Sequence, residues 1–543
     1  MKKDIDNPVY LKPNLVTEAL YDNWYAWSHL ISPVTAALNI KERHLKILKS
    51  FIQNPQIHEA AVKKPEMKGG PFIDYPRTRV DEIRNLYEKT IQSQKGMLEL
   101  ADAISELTRM LDKEATGHSL QPLYEKIPNI LKGYVELVYD LNNNANFKIF
   151  EALLYKSKYY KESSQSICLQ LVNSDEQRSF VLSTPRLEEN NIIHCDIAYK
   201  DSAIDELFKM LRNPNSFSRI SKLLEIKESQ VELFRSFFTE EKPKLYEKYI
   251  GEGIRTRYFG HASILIETKE ISILVDPVLS YDGYDSDIPR FTSHDLPDSI
   301  DFVLITHNHQ DHILFETLLQ IRHKVKTIVV PRSNKGSLQD PDLKLMFQNI
   351  GFKNVIGLGD MESLELPKCS ITGIPFLGEH ADLDIGSKLC YYVELHNKFR
   401  VFLVADSCNI EPEIYVKVRE VMDDVDIMFI GMECDGAPLS WLYGPLLPEK
   451  LTRDRDITRR LAGSNCEQGL SLIDCFNPKA VFVYAMGLEP WLEFISSIKY
   501  TDESRPIVES NKLIEICTTK GIISERLFGE KTMEYLNESL EIR

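Results

Sequence analysis

Three imidazoles and one carboxylate fall within six consecutive residues, His307, His309, Asp311 and His312, in the stretch Thr306-His307-Asn308-His309-Gln310-Asp311-His312. Imidazole nitrogen and carboxylate oxygen are donors that first-row divalent metals prefer. The chain has only 13 histidines, so three in one heptad is more than an ordinary polar loop carries. The heptad follows the apolar run Phe302-Val303-Leu304-Ile305 directly. Where such a strand ends the chain must turn, and side chains there can converge instead of alternating across a sheet. His307 and His309 can point to one metal, and Asp311 and His312 to a second. Two metals ~3.5–4 Å apart can share a bridging oxygen ligand.

The elements around this cluster fall into two parts. A chain of 543 residues exceeds one hydrophobic core, since cores stop growing near ~250–300 residues. Residues 1–245 read as a mixed, mostly helical α+β domain. Apolar spacing predicts helices over 80–111 (interrupted near Ser93–Gly96), 123–141, 147–160, 201–212 and 218–238, with strands at 166–172 and 178–183. The charged stretch Thr239–Gly253, with Pro243 and two glycines, marks the boundary. Residues 246–543 alternate short apolar strands with helices. Strands are expected at 257–267, 271–276, 302–306, 326–330, 370–375, 390–395, 400–405, 427–430 and 480–484, and helices at 314–322, 343–350, 413–421 and 451–461. The fold class is α/β, with two sheets covered by helices in the C-terminal part.

Charge and cysteines narrow the partners. With 65 basic against 81 acidic residues, the net charge of −16 argues against nucleic acid, which needs a basic face. Nine scattered cysteines with no C-x-x-C fit a reducing compartment and a cytoplasmic protein. The N-terminus lacks the apolar core of a signal peptide, and no run of ~18 apolar residues predicts a membrane span.

The H-x-H-x-D-H pattern resembles the metallo-β-lactamase superfamily over about residues 255–491, which implies an αββα sandwich. Gly260-His261-Ala262-Ser263 on the first strand and Asp276-Pro277 after the second sit where that family puts them. Asp406, in Ala405-Asp406-Ser407, takes the place of the family's bridging carboxylate. Two departures matter. Hydrolases of the superfamily place a third histidine on the first metal; here Gly378-Glu379-His380 offers either Glu379 or His380. They also carry a late histidine on the second metal, whereas none follows His396 here and the matching region reads Val483-Tyr484-Ala485-Met486-Gly487. The second metal is therefore expected to keep an open or water-filled position. Carboxylate and water in place of imidazole harden the site and favour iron over zinc.

With these departures the whole chain resembles the diiron β-hydroxylases of nonribosomal peptide assembly lines. The segments Pro375-Phe376-Leu377-Gly378-Glu379-His380 and 431–445 also look like that group. The resemblance implies a diiron cluster with an oxo or hydroxo bridge, dioxygen as co-substrate, and hydroxylation of the β-carbon of an amino acid held as a thioester on a carrier protein. It places His307, His309 and Glu379 on the first iron, Asp311 and His312 on the second, and Asp406 between them. Glu379, Asp406 and Glu433 are the expected catalytic carboxylates. Glu433 and Asp435 either orient a ligand histidine or are plain loop carboxylates, and Trp441 and Tyr443 either wall a pocket or pack in the core. His261 reads as a packed, hydrogen-bonded strand histidine. With no flavin, nicotinamide or nucleotide motif, electrons come from an external ferredoxin or reductase. The N-terminal domain is expected to serve dimerisation and carrier docking, with Lys156, Lys158 and Lys161 as a basic patch. The competing reading is a dinuclear zinc hydrolase of the same fold, a lactonase, thioesterase or phosphodiesterase, with His380 as ligand.

Overall fold

Odd and even residues of the central strands part company across two sheets. The computed structural model describes residues 7–282, 286–395, 399–536 and 539–542. In Ile264–Glu267 and Ser272–Val275, the side chains of Ile264, Ile266, Ile273 and Val275 enter one apolar cluster, while Leu265 and Leu274 enter another. The same split separates Leu304 and Val329 from Val303 and Ile328. Strands buried on both faces must be apolar at every position, which is why these segments read as continuous runs.

The first sheet has eight strands, in the order Val355–Leu358, Val325–Pro331, Ile300–Leu304, Ser272–Val275, Ile264–Glu267, Ile254–Tyr258, Lys531–Leu536 and Ser539–Ile542. The second has seven, in the order Ser363–Glu365, Cys369–Ile374, Cys390–Leu395, Phe399–Ala405, Ile427–Gly431, Ala480–Tyr484 and Ile523–Arg526. Residues such as Tyr391, Val393, Val401, Leu403 and Phe429 fill the space between the sheets. The outer face of the second sheet, with Phe402, Val404 and Met428, packs under the helices Pro412–Arg419, Cys466–Phe476 and Arg505–Thr519. This is the αββα sandwich.

The outer face of the first sheet shares one apolar cluster with the N-terminal part. There Leu15–Tyr21 pairs antiparallel with Gln165–Leu171, flanked by Trp24–Tyr25 and Ile193–Cys195, and helices including Pro33–Asn39, Val80–Ser93 and Lys95–Glu114 surround that sheet. A buried ionic network crosses between the two parts. Arg178 bonds both Glu18 and Glu316 at 2.6 Å, and Arg186 bonds Glu18 at 2.5 Å. Tyr25 and Tyr281 donate their hydroxyls to Glu316. Burial alone would raise the Glu18 carboxyl, but Arg186 and Arg178 outweigh it and hold it down at about 2. Glu316 lies on Phe315–Ile321, the helix that follows the histidine heptad, so the network anchors the element behind the cluster.

Four expectations for the N-terminal part fail, one of them the helix over 147–160, where Phe147–Ile149 is strand and only Glu151–Tyr155 is α-helical. The segment 123–141 is not a helix: a short 3-10 turn, Gln121–Lys126, precedes a hairpin of Val135–Tyr139 and Ala145–Ile149. Val135, Leu137, Phe147 and Ile149 are buried while Glu136 and Lys148 are exposed, a period of two and not 3.6. The Asn142–Asn144 run is the hairpin turn, with Asn143 at φ +61° and the Asp140 carboxylate accepting from the Asn142 and Asn144 amides. The stretch 178–183 is irregular, because Arg178 turns inward to the ionic network instead of pairing in a sheet. The helix expected over 218–238 breaks into Phe217–Leu223 and Val231–Ser236, with Glu225 between them at φ +52°.

Candidate metal centre

The histidine heptad leaves the strand Ile300–Leu304 at its C-terminal end, and its side chains meet His261, Asp276, Glu379 and Asp406, which follow four other strands. The first group of donors is His307, His309 and Glu379, whose ligand atoms lie within 4.8 Å of one another. Glu379 Oε1 is 2.9 Å from His309 Nδ1, and Oε2 is 3.8 Å from His307 Nε2. The second comprises His307, His312 and Asp406, and a third comprises His261, Asp311 and His312. Asp406 Oδ2 is 3.8 Å from His307 Nε2 and 3.0 Å from His312 Nε2, between the two histidines. Glu379 thus joins the first group, while His380 joins no such group among the described residues. The His380 ring stacks on Phe376 and its Nδ1 lies 2.8 Å from Glu379 Oε2.

The rings are oriented from behind. His312 Nδ1 donates to Asp276 Oδ2 at 2.8 Å. Thr306 gives its amide and its hydroxyl to the two oxygens of Asp276, and its hydroxyl oxygen accepts from His307 Nδ1 at 3.0 Å. Both rings therefore present Nε2 to the centre with the tautomer fixed, the usual device for a metal-binding histidine. Asp276 was legible only as a residue in its family position, and Thr306 was not singled out. Glu433, expected to orient a histidine or to be a plain loop carboxylate, is half-buried just after the strand Ile427–Gly431. Its carboxyl is pushed up by burial and by the nearby charges of Asp406, Asp311 and Glu379. Asp435 is a surface residue paired with Arg460. Tyr443 is buried near His29. Trp441 stacks on Phe180 and donates Nε1 to the Gly69 carbonyl, so it joins the N-terminal part to the helix Leu439–Tyr443.

Backbone strain accompanies the donors. Glu379 (φ +62°), His261 (+50°), Asp276 (+39°) and Ala405 (+52°), which precedes Asp406, all sit in the left-handed region. Non-glycine residues there cost of order 1–3 kcal/mol each and persist where the surrounding structure over-determines them. Close approach also requires Gly431: a Cβ on it would lie 2.3 Å from Asp406 Oδ1. Neither feature leaves a motif in the sequence.

Burial pushes the His307 imidazole well below its ordinary range and brings His309 down to about 4, so both are neutral and carry a free lone pair at neutral pH. Burial also raises Glu379 to about 7. His307 Nε2, His309 Nε2 and Asp406 Oδ1 are buried with no hydrogen-bond partner. Unsatisfied buried polar atoms cost ~1–3 kcal/mol each, and His307 Nε2, set 3.8 Å from both Glu379 Oε2 and Asp406 Oδ2, fits a bound cation. The donor set of three histidines, two aspartates and a glutamate has the oxygen-rich character that suits iron.

The chain is 38% identical over 531 residues, 96% of its length and 99% of the relative's, to the 4-amino-L-phenylalanyl-[CmlP-peptidyl-carrier-protein] 3-hydroxylase of Streptomyces venezuelae. It belongs to the CmlA-type diiron β-hydroxylase family. The model of the diiron non-heme β-hydroxylase N-terminal domain matches residues 10–243, and that of the β-lactamase superfamily domain matches residues 272–437. The crystal structure of CmlA, a diiron β-hydroxylase from Streptomyces venezuelae, superposes with a TM-score of 0.91 at 36% identity, covering 98% of this chain and 100% of that one. A CmlA variant structure gives 0.88 at 36% identity, covering 97% and 100%. As a member of that family the chain is a hydroxylase, and the hydrolase reading falls away. Among the described residues, no helix is long and apolar enough to cross a membrane.

Proposed function

We propose that this β-hydroxylase acts on an amino acid held as a thioester on a carrier protein, inserting one oxygen atom into its β C–H bond. Overall, dioxygen, two electrons and two protons convert C–H to C–OH and release one water. Two bound irons supply the activation of dioxygen, a redox chemistry closed to zinc. His307, His309 and Glu379 would hold the first iron and Asp311 and His312 the second, with Asp406 shared between the two groups. The observation that carries the reading is Glu379, grouped with His307 and His309 where a zinc hydrolase has a third imidazole.

The remaining work belongs to the chain. Asp276 and Thr306 fix the His312 and His307 rings, so no tautomer or rotamer change is needed when metal binds. Glu433, close to the carboxylates of Asp406, Asp311 and Glu379, is the third catalytic carboxylate of this reading. The apolar surroundings of Phe376 and the buried Tyr443 exclude bulk water. Carrier docking and homodimer formation belong in this reading to residues 1–245, where Lys156 and Lys158 are exposed, while Lys161 is half-buried and donates to the Ser93 carbonyl at 2.6 Å. Electrons are delivered by a separate ferredoxin or reductase. Metal analysis of protein purified without added metal tests the reading: two irons per chain support it, and two zincs in a colourless protein overturn it.

A further inference from the structure

His261 stands in the turn between Ile254–Tyr258 and Ile264–Glu267, 2% exposed, with φ +50°. Position alone makes it a candidate metal ligand, since it groups with Asp311 and His312. Its hydrogen bonds say otherwise. The Gly487 amide donates to Nδ1 at 3.2 Å, and Nε2 lies 3.1 Å from Asp311 Oδ2. A neutral imidazole has one bare nitrogen and one N–H. A backbone amide can only donate, so Nδ1 is the bare nitrogen and Nε2 carries the proton. That proton points at a carboxylate, and Nε2 has no lone pair left for a metal.

We propose that His261 is a positioning residue for Asp311, resting on the diiron reading above. By donating to Oδ2 it restrains the carboxylate and leaves Oδ1 for the second iron, so Asp311 offers one oxygen and a coordination position stays open. The Ala485 amide donates to the His261 carbonyl at 2.9 Å, so the segment Ala485–Gly487 clamps this residue at both its backbone and its ring. Through His261 that segment acts on Asp311.

The test uses the full-length iron-loaded protein and the variants His261→Gln, which keeps an N–H donor, and His261→Leu, which has none. Iron per chain, the rate of iron transfer to excess chelator, and the Mössbauer spectrum are measured. Both variants are expected to load two irons. The Leu variant should release one of them about 10- to 100-fold faster and change one quadrupole doublet, while Gln stays within about threefold of the parent. Loading of a single iron by both variants would make His261 a ligand and overturn the proposal; a Leu variant with the parent release rate and spectrum would reduce it to packing and overturn it equally. If the Leu variant does not fold, Gln alone decides: two irons held at the parent rate support donation, one iron refutes it. A parent protein that fails to hold two irons sinks the diiron reading itself, before either variant is compared.

Discussion

Nδ1 of His312 donates to Oδ2 of Asp276 across 2.8 Å, while Nε2 of the same ring faces Asp406 at 3.0 Å. Asp276 itself is fully buried and held by both polar groups of Thr306. Asp276→Asn preserves the shape but can set an amide N–H against the N–H of the ring. Iron affinity, measured by chelator competition, should fall about 10- to 100-fold with the fold intact. Unchanged affinity would remove Asp276 from the account.

Glu379 is the residue whose type separates this site from zinc hydrolases. Glu379→Ala should lower iron from two to about one per chain, because the first group loses its only carboxylate apart from the shared Asp406. Glu379→His should raise zinc occupancy at the expense of iron when both metals are supplied. Full iron loading in the Ala variant contradicts the assignment.

Gly431 needs its missing side chain. A Cβ would fall 2.3 Å from Asp406 Oδ1 and 2.7 Å from the Ala405 carbonyl. Gly431→Ala must therefore displace Asp406 or the strand beneath it, and a shift near 1 Å can cost about a hundredfold in turnover. Turnover and the Mössbauer spectrum, measured together, check this; a variant with parent values for both would show that the approach is not needed.

The sequence made the metal loop legible because its chemistry is local: four donors follow one apolar strand, and nothing else explains them. The sandwich was legible for a similar reason, since strands buried on both faces leave unbroken apolar runs such as Val401–Ala405. What converges from a distance was harder to read. Glu379 and His380 are adjacent in the chain and both lie against His309, and only the fold shows that Glu379 is the one grouped with His307 and His309 as a donor. Asp276 and Gly431 act through tertiary contact and have no spacing signal. In the N-terminal part, the hairpin at 135–149 was mistaken for helix because short apolar segments satisfy both periodicities, and the opening strands at Pro8–Leu11 and Leu15–Tyr21 were not read.

A pH dependence arises far from the centre, at Glu151. Burial, with help from Asp342 and Asp340, raises its carboxyl from 4.5 to about 7 in the folded protein. Between these values the folded state holds a proton that the unfolded chain has released. Stability from this group is greatest below about pH 4.5 and falls as pH rises toward 7, by roughly 3 kcal/mol in full. Glu151→Gln keeps an acceptor for the Asp342 amide, now 2.9 Å from Oε2. The variant should melt higher than the parent at pH 8 and alike at pH 4.5. Equal melting at both values would show that Glu151 is ionised without penalty.

The most direct measurement supplies reduced, iron-loaded protein with an aminoacyl carrier protein and heavy-oxygen-labelled dioxygen, then weighs the carrier-bound product. A carboxylate-rich diiron centre predicts one labelled oxygen atom in a β-hydroxyl group, with the thioester intact. An unlabelled product, or release of the free amino acid from its carrier, would contradict it.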